Sequence, residues 1–267
     1  MDTAIQQLAG KLSTARSVVV ITGAGVSAES GLRTFRGNEK DMGSLWKEFD
    51  PMKLATPEAF EADPEMVTRW YDWRRLGCLA AEPNPGHVSL AELERLLAPS
   101  PSGGGPGRGG QTSPARFTLL TQNVDRLHQR AGSVNVVELH GTIMEWRCTK
   151  TGNKFTPGPQ EMQEFPPRSQ WGGLLRPDVV WFGEMLPEDA VAAAQVVVAR
   201  CDVFMSVGTS SVVYPAAGFI HAARARGAFT AEVNADATVI SSMVDVSLRG
   251  KSGEVLPQVL ERMREGA

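Results

Sequence analysis

Short apolar runs rich in β-branched residues constrain the fold of this 267-residue chain more than any other feature. Such runs are too short for a buried helix and too apolar for a half-exposed strand, so they are typical of strands buried on both faces. Helical stretches separate several of them, notably residues 190–200 and 215–226. This alternation predicts an α/β fold with a doubly wound, Rossmann-like parallel sheet. The six runs are residues 17–22, 117–121, 134–139, 178–182, 203–207 and 229–233.

Residues 36–86 interrupt the alternation. They are rich in Trp, Phe, Met and charged residues, and Phe60, Met66 and Trp70 follow a helical spacing, so this part predicts a smaller, mainly helical lobe. Residues 99–115 are dominated by Pro, Ser and Gly and predict a flexible surface loop.

The overall charge and the cysteines limit the classes of partner. A net charge of −3 and a pI of about 5.9 give no field that favours nucleic acid or an anionic membrane. The start of the chain lacks a long apolar run, so we expect no signal peptide, and no stretch reaches the ~20 apolar residues of a membrane span. Three widely spaced cysteines suit a reducing compartment. We therefore expect a soluble, cytoplasmic protein.

Polar residues follow two of the predicted strands directly. The run 117–121 leads into Gln122, Asn123 and Asp125, and the strand ending at Leu139 leads into His140. Because parallel strands open onto a ligand crevice at their carboxyl ends, these side chains predict a reaction centre. The alternative for the histidine is a strand-end side chain bonded to the backbone.

A glycine-rich turn follows the first strand. Gly23, Gly25 and Ala28 match the pattern Gly-x-Gly-x-x-Gly/Ala, whose backbone N–H groups can approach a pyrophosphate. Tight turns also need glycine for steric reasons, so the motif alone is weak. The acidic ribose ligand of dehydrogenases, expected ~20 residues later, would fall near Asp41 in the helical part, which disfavours an oxidoreductase.

Two further strand ends carry small polar residues. Residues 208–210 (Gly-Thr-Ser) and Asn234 suit phosphate and ribose hydroxyls, although turns and helix caps use the same residue types. Four such ends on one sheet favour a nucleotide.

In this order, the motifs resemble those of the sirtuins, which are NAD-dependent protein-lysine deacylases, over residues 18–260. The matching residues are Gly23-Ala24-Gly25-Val26-Ser27, Gly31, Thr34-Phe35-Arg36, Gln122-Asn123-Val124-Asp125, His140-Gly141, Trp181-Phe182-Gly183-Glu184, Gly208-Thr209-Ser210 and Asn234.

The resemblance implies a reaction in which the acyl group of an acyl-lysine protein or peptide moves to ADP-ribose, releasing nicotinamide, O-acyl-ADP-ribose and free lysine. His140 would be the general base, since an imidazole suits proton transfer at neutral pH. Asn123, the second catalytic residue, and Asp125 would orient the nicotinamide. The cofactor contacts would be Gly23, Ala24, Gly25, Ser27, Phe35, Arg36, Gln122, Asn123, Asp125, Gly208, Thr209, Ser210, Asn234 and Ser252. The peptide would bind along Val180, Phe182, Gly183 and Glu184.

Tyr71 and Arg74 lie three residues apart and therefore on one helix face. A phenol beside a guanidinium can hold a carboxylate, and with the small Ala55 this pair resembles the desuccinylase and demalonylase branch of sirtuins. The alternative is a surface salt bridge for Arg74 and simple packing for Tyr71. Arg75 is a second candidate, but it points about 100° away on the helix.

Most sirtuins carry a structural zinc on four cysteines, and this chain departs from that pattern. Cys148 takes the first position, Thr151 the second, and residues 168–171 (Arg-Ser-Gln-Trp) replace the second pair. We therefore expect no metal, with residues 143–174 held by packing of Trp146, Phe155, Phe165 and Trp171.

The predicted domains are a Rossmann-like domain (1–35, 87–142 and 175–267) and a small lobe (36–86 and 143–174).

Several alternatives remain open from the sequence. The same fold could carry out deacetylation, ADP-ribosyl transfer or NAD hydrolysis. A non-catalytic NAD sensor is disfavoured, because a binding module needs no base. The sequence does not set the oligomeric state.

Overall fold

A parallel sheet of six strands forms the centre of the protein and confirms the predicted α/β, Rossmann-like class. The computed structural model describes residues 1–32, 51–98, 117–212 and 216–266. The described strands are β1 (Val18–Thr22), β2 (Phe117–Thr121), β3 (Val136–Glu138), β4 (Gly141–Cys148), β5 (Lys154–Phe155), β6 (Leu175–Val179), β7 (Val203–Val207), β8 (Phe229–Asn234) and β9 (Val246–Arg249). The parallel sheet has the order β3-β2-β1-β7-β8-β9.

Helices cover both faces of this sheet. The described helices are α1 (Asp2–Thr14), α2 (Ala24–Ala28), α3 (Pro51–Leu54), α4 (Pro57–Ala62), α5 (Pro64–Ala80), α6 (Pro85–Leu97), α7 (Leu127–Arg130), α8 (Glu188–Val198), α9 (Gly218–Ala225) and α10 (Ser252–Glu265). Val18 and Val20 of β1 pack with α1, α6 and α10, whereas Val19 and Ile21 pack with α8 and α9. Because successive side chains of a strand point to opposite faces, a strand covered on both sides is apolar throughout.

Two helix ends show how the sequence sets the boundaries. The predicted helix around residues 88–97 begins earlier, at Pro85, because Asn84 caps it. The Asn84 side chain accepts hydrogen bonds from the N–H groups of Gly86 (2.9 Å) and His87 (3.4 Å). Asp63 caps α5 in the same way by accepting from Met66 N–H at 2.9 Å. Each capping side chain replaces a partner that the first turn of a helix lacks.

One predicted strand lies in a different sheet. The run 178–182 was expected in the parallel sheet, but its strand is β6, which ends at Val179 and pairs antiparallel with β4 in a three-stranded sheet of order β5-β4-β6. An apolar run indicates burial, whereas the choice of sheet depends on contacts with distant residues. Another run, 134–139, was also predicted too long, because Val134 is 88% exposed and β3 begins at Val136.

The helical part is described from Pro51 onward, where α3, α4 and α5 follow one another closely. Residues 36–50 and the predicted loop 99–115 lie outside the described residues, and the division into two domains stays a prediction. Within the described ranges, no helix is both long and apolar enough to cross a bilayer. The cytoplasmic location also stays a prediction.

The turn after β1 packs closely against the turn after β7. Gly25 N–H donates to Gly208 O at 2.8 Å, and Gly23 N–H donates to Val207 O at 3.2 Å. Gly208 has φ +59°, and a Cβ atom there would lie 2.5 Å from the nitrogen of Val26. Both the backbone conformation and the space therefore require glycine at position 208.

We expect Gly208→Ala to destabilise the protein by about 2 kcal/mol or more, because it combines a left-handed Ala with a backbone clash. Gly10→Ala is the matched control. Gly10 is an exposed residue of α1 with no atom near its Cβ direction, so that change should stabilise by about 0.5–1 kcal/mol. Urea unfolding of the parent and both variants measures the changes in the free energy of unfolding. Equal stability of Gly208→Ala and the parent would contradict the packing argument.

Candidate active site

The carboxyl ends of β1, β2, β3, β7 and β8 are neighbours in the parallel sheet, so the residues that follow them share one edge. That edge holds most of the predicted site residues: Gly23, Ala24, Gly25 and Ser27 after β1, Gln122, Asn123 and Asp125 after β2, His140 after β3, Gly208, Thr209 and Ser210 after β7, and Asn234 at the end of β8. Phe35 and Arg36 lie outside the described residues, as does Thr34.

Ser27, Asn123 and Asp125 form a buried hydrogen-bonded set. Ser27 Oγ donates to Asp125 Oδ2 at 2.7 Å and accepts from Asn123 Nδ2 at 3.0 Å. Asn123 Nδ2 also donates to Gly23 O at 3.0 Å, so both amide hydrogens are used and the amide oxygen remains as an acceptor. Burial raises the pKa of Asp125, while hydrogen bonds from Leu127 N–H and from Ser27 oppose that shift.

Two histidines that the sequence did not assign to the site lie nearby: His87 contacts this set, and His128 contacts His87. His87 Nδ1 accepts from Asn84 N–H at 3.3 Å, so Nε2 carries the hydrogen and points to Ser27 Oγ at 3.4 Å. His128 Nε2 is 2.9 Å from Thr22 Oγ1, and its ring contacts the His87 ring edge-on at 4.7 Å.

Burial explains the charge state of these two rings. It lowers the pKa of His87 to about 4, and burial together with His87 lowers the pKa of His128 well below the usual range. Both rings are therefore neutral at pH 7. The capping pattern at Asn84 was the sequence signal that could have located His87.

His140 is held in a defined orientation next to the Ser27 set. Its Nδ1 lies 3.1 Å from Gln122 O, which accepts the Nδ1 hydrogen and leaves Nε2 as the basic atom. Burial lowers the pKa of His140, and the bond to Gln122 opposes this shift. The imidazole is thus neutral at pH 7. The backbone bond foreseen as the alternative is present, but it occupies only one of the two ring nitrogens.

The glycine turn has a structural role beside its predicted contact with a cofactor. The N–H groups of Gly23 and Gly25 donate to carbonyl groups of residues 207 and 208, so they are already bonded within the protein. These glycines serve the close approach of two turns, so any contact that they make with a cofactor would not use these two N–H groups, and their cofactor role stays a prediction. The glycines are needed because a Cβ at position 25 would lie 2.6 Å from Gly208 O.

At the carboxyl ends of β7 and β8, Thr209 bonds to two other predicted site residues. Its hydroxyl accepts from Gln122 Nε2 at 3.1 Å, and its carbonyl accepts from Asn234 Nδ2 at 3.3 Å. Ser210 is exposed. Ser252, the remaining predicted cofactor contact, is buried at the start of α10 and donates to Glu29 Oε1 at 2.8 Å.

Tyr71, Trp181 and Ala55 belong to one buried apolar cluster beside this edge. Tyr71 packs edge-on against Trp70 at 4.7 Å and lies 6.2 Å from the Trp181 ring. The half-buried Arg74 places its guanidinium 4.7 Å from the Trp70 ring and 5.7 Å from the Tyr71 ring. The predicted pair Tyr71 and Arg74 is therefore close in space as well as three residues apart in the chain.

Arg75 has a different set of partners from Arg74. It donates from Nε to Asp72 Oδ1 (2.7 Å), from Nη1 to Gly158 O (2.7 Å) and from Nη2 to Gln160 O (2.6 Å). Its guanidinium is thus bonded inside the protein on all three nitrogens. This removes Arg75 as a candidate for binding an acyl carboxylate.

The segment predicted to bind the peptide is fixed by an ion pair. Glu184 accepts two bonds from Arg176, at 2.6 and 3.0 Å, and one from Trp181 N–H at 2.8 Å. The carboxylate therefore orders the turn that carries the exposed Phe182 and Gly183. Val180 N–H donates to His140 O at 3.0 Å, which joins this segment to the predicted base.

The surroundings of Cys148 do not fit a structural zinc. Its Sγ accepts a hydrogen bond from Ser169 Oγ at 3.0 Å, and no three His, Cys, Asp or Glu residues of the described ranges are arranged to hold a metal. A tetrahedral thiolate site needs four such ligands, and hydroxyl groups do not replace them. Of the side chains expected to pack this region, Trp146 is fully buried, but Phe155 is 42% exposed and so cannot serve as an anchor.

The buried histidines predict acid sensitivity. Each is neutral when folded but takes up a proton below pH about 6.5 when unfolded, so stability falls as the pH drops below that value. We expect His87→Gln to lessen this loss by about 1.4 kcal/mol per pH unit between pH 6 and 5. The raised pKa of Asp125 has the opposite effect on stability as the pH drops, but it acts equally in the parent and in His87→Gln. The difference between their pH slopes therefore reports on His87 alone. Urea unfolding at several pH values measures it, and identical pH slopes would contradict a neutral His87.

Comparisons with known proteins agree with this geometry. A model of the Sir2 family matches residues 23–99 and 110–215. The chain is 46% identical over 258 residues to NAD-dependent protein deacylase 2 of Pyrobaculum aerophilum, covering 96% of this chain and 95% of that relative. It is also similar to the crystal structure of a Sir2 homologue–NAD complex, with TM-score 0.85, 42% identity, and coverage of 97% of this chain and 94% of that chain. A mutant Sir2 homologue in complex with 2′-O-acetyl ADP-ribose has the same TM-score and identity, with 97% and 96% covered. This chain therefore belongs to the Sir2 family, the sirtuins.

Proposed function

We propose that this protein removes acidic acyl groups, such as succinyl and malonyl, from lysine side chains of proteins in an NAD-dependent reaction. At the general level it is an NAD-dependent protein deacylase, as its family membership and its similar chains indicate. The preference for an acidic acyl group is the finer part of the proposal. It rests on the position of Arg74 beside Tyr71.

The residues at the carboxyl edge fit NAD by the chemistry of their side chains. Asn123 offers an amide oxygen and Asp125 a carboxylate, which match the N–H groups of a carboxamide. Thr209 and Asn234 suit hydroxyl and phosphate groups. When bound, NAD would supply the ADP-ribose group that accepts the acyl group, with nicotinamide leaving. The other proposed contacts are Gly23, Ala24, Gly25, Ser27, Phe35, Arg36, Gln122, Gly208, Ser210 and Ser252.

His140 is suited to the role of general base in this reaction. Its Nε2 accepts a proton from a hydroxyl group, while Gln122 O holds the Nδ1 hydrogen and fixes the tautomer. The lowered pKa keeps the ring neutral, and therefore competent as a base, at pH 7. Its carbonyl bond to Val180 N–H places the base beside the segment proposed to bind the peptide.

The acyl preference follows from charge and burial on α5. Burial raises the pKa of Tyr71 to about 12, so the phenol stays an O–H donor at neutral pH. The positive charge of Arg74 opposes the burial-induced pKa shifts of both Tyr71 and Asp125. The guanidinium lies 5.7 Å from the Tyr71 ring, so one carboxylate could accept hydrogen bonds from both side chains. A carboxylate held by this donor pair would place its acyl carbonyl toward the catalytic edge.

Contacts around Ala55 support a pocket in the same place. Phe182 N–H donates to Ala55 O at 2.9 Å, which brings the helical part of the chain against the segment proposed to bind the peptide. Ala55 belongs to the same cluster as Tyr71, and its methyl group occupies less volume than a larger side chain would, which suits an acyl group longer than acetyl. The main chain of residues 180–184 would pair with an extended peptide, which tolerates many sequences.

The test of this proposal is mass spectrometry of one peptide carrying acetyl-, succinyl- or malonyl-lysine, each with NAD. We expect desuccinylation to exceed deacetylation. Arg74→Met should lower kcat/KM for the succinyl peptide about tenfold to a hundredfold, because it removes a charge-assisted hydrogen bond, and should leave the acetyl reaction unchanged.

Arg69→Met is the matched control, because Arg69 is an exposed residue of the same helix paired with Glu65. It should leave both reactions unchanged, whereas His140→Ala should abolish both. Deacetylation without desuccinylation would contradict the acyl preference alone. Consumption of NAD without any deacylation would contradict the deacylase function.

We also propose that the region around Cys148 is stable without zinc. The purified protein should contain substoichiometric zinc by elemental analysis, both as isolated and after exposure to zinc chloride followed by desalting. Its melting temperature should not change with a chelator, since metal-dependent folds lose stability when the metal is removed. One zinc per chain, together with a lower melting temperature in chelator, would contradict this expectation.

A further inference from the structure

We propose that Asp72 and Arg75 are positioning residues that aim Tyr71 and Arg74 by clamping α5 to residues 158–162. The inference rests on the proposed preference for acidic acyl groups, because it concerns the orientation of the helix that carries the acyl contacts. Asp72, Arg75 and their bonds to this segment together form what we call the clamp.

The clamp joins two side chains of α5 to the main chain of the segment. Arg75 donates to Gly158 O and Gln160 O at 2.7 and 2.6 Å. Asp72 accepts from Arg75 Nε through Oδ1 at 2.7 Å and from Met162 N–H through Oδ2 at 2.9 Å. The clamp thus contains one ion pair and three bonds to the main chain. Main-chain partners fix the position of the segment whatever its side chains are.

Both side chains of the clamp are almost completely buried, with 2% of Arg75 and 1% of Asp72 exposed. Two charges out of water are tolerated only when each is paired and hydrogen-bonded, and here both carboxylate oxygens and all three guanidinium nitrogens have partners. The planar fork of an arginine is required to reach two carbonyl groups at once. A lysine at position 75 would keep the charge but lose that geometry.

The segment has few other anchors. Residues 151–156 and 158–161 are exposed, and Pro157 and Met162 are half-buried. Met162 packs against the apolar cluster that contains Tyr71 and Trp181. This segment lies between β5 and β6, in the region that the resemblance assigned to a zinc module and whose residues do not fit zinc. The clamp therefore supplies a polar anchor where a metal would otherwise serve.

Helix geometry connects the clamp to the acyl contacts. Tyr71 and Arg74 form one stripe of α5, and Asp72 and Arg75 form the adjacent stripe, about 100° further round the axis. Fixing the second stripe therefore fixes the rotation of the first. A rotation of about 10° would move a side chain at a radius of about 6 Å by roughly 1 Å. Displacements of that size can change a rate about a hundredfold.

The experiment compares steady-state kinetics of Arg75→Met and Arg75→Lys with the parent, on succinyl and acetyl peptides, well below the melting temperature. We expect KM for the succinyl peptide to rise about tenfold in Arg75→Met and less in Arg75→Lys, with the acetyl KM unchanged. The melting temperature of Arg75→Met should fall by about 10 °C. Arg75→Lys keeps the ion pair and so provides the comparison if Arg75→Met does not fold.

Asp63→Ala is the control for a loss of stability alone. It removes the N-terminal cap of α5 but leaves the clamp intact, so it should lower the melting temperature and keep the ratio of succinyl to acetyl KM. Equal changes for both peptides in the Arg75 variants, or an unchanged succinyl KM, would overturn the inference.

Parallel kinetics of Arg74→Met separate the two proposals. Suppose that the parent prefers the succinyl peptide, that Arg74→Met removes this preference and that the Arg75 variants keep it. In that case only the positioning role fails. If the parent shows no succinyl preference, the proposed function fails and this inference fails with it.

Discussion

The close contact between the turns after β1 and β7 is the constraint on which the rest of the site depends. These strands are neighbours at the centre of the sheet, where the chain order reverses, and ligand crevices of parallel sheets open at such points. The bond from Gly25 N–H to Gly208 O brings the two turns to a distance that only glycine permits. This contact sets where α2 begins and therefore where Ser27 meets Asn123 and Asp125.

Burial then decides the charge states at this edge. His87, His128 and His140 are all held neutral, because burial would remove the hydration of the charged ring. Asp125 receives bonds from Ser27 and Leu127 N–H that oppose the effect of burial on its pKa. The proposed reaction centre therefore combines a neutral imidazole, the proposed base, with a hydrogen-bonded carboxyl group. Both properties come from the environment of the side chains and not from their type.

Helix α5 links the edge that holds the predicted site residues to the three-stranded sheet through several distinct faces. Its apolar residues, including Val67 and Trp70, pack into the cluster shared with β4 and β6. The stripe of Tyr71 and Arg74 faces the proposed acyl pocket, and Asp72 with Arg75 bonds to residues 158–162. A single 17-residue helix thus carries packing, proposed recognition and anchoring, so its rotation is constrained from more than one side.

The sequence by itself determined several buried strands of the parallel sheet and the polar residues that follow them. Residues 117–121 and 203–207 were predicted with their observed bounds, because a strand covered on both faces leaves a local apolar pattern. The sequence also placed Gln122, Asn123, Asp125 and His140 after neighbouring strands, since parallel strands end at one edge. The motifs identified the family for the same reason: each is local in the chain.

Only the tertiary structure decided which distant groups become partners. Residues 178–182 were placed in the wrong sheet, and the strands β4, β5 and β9 were not predicted, because strand pairing depends on contacts far apart in the chain. The partner of Gly25 is 183 residues away, and those of Arg75 include two carbonyl groups more than 80 residues away. Neither pairing leaves a periodic pattern in the sequence. Local patterns encode burial and helix or strand geometry, whereas hydrogen bonds between remote main-chain groups exist only once the chain has folded.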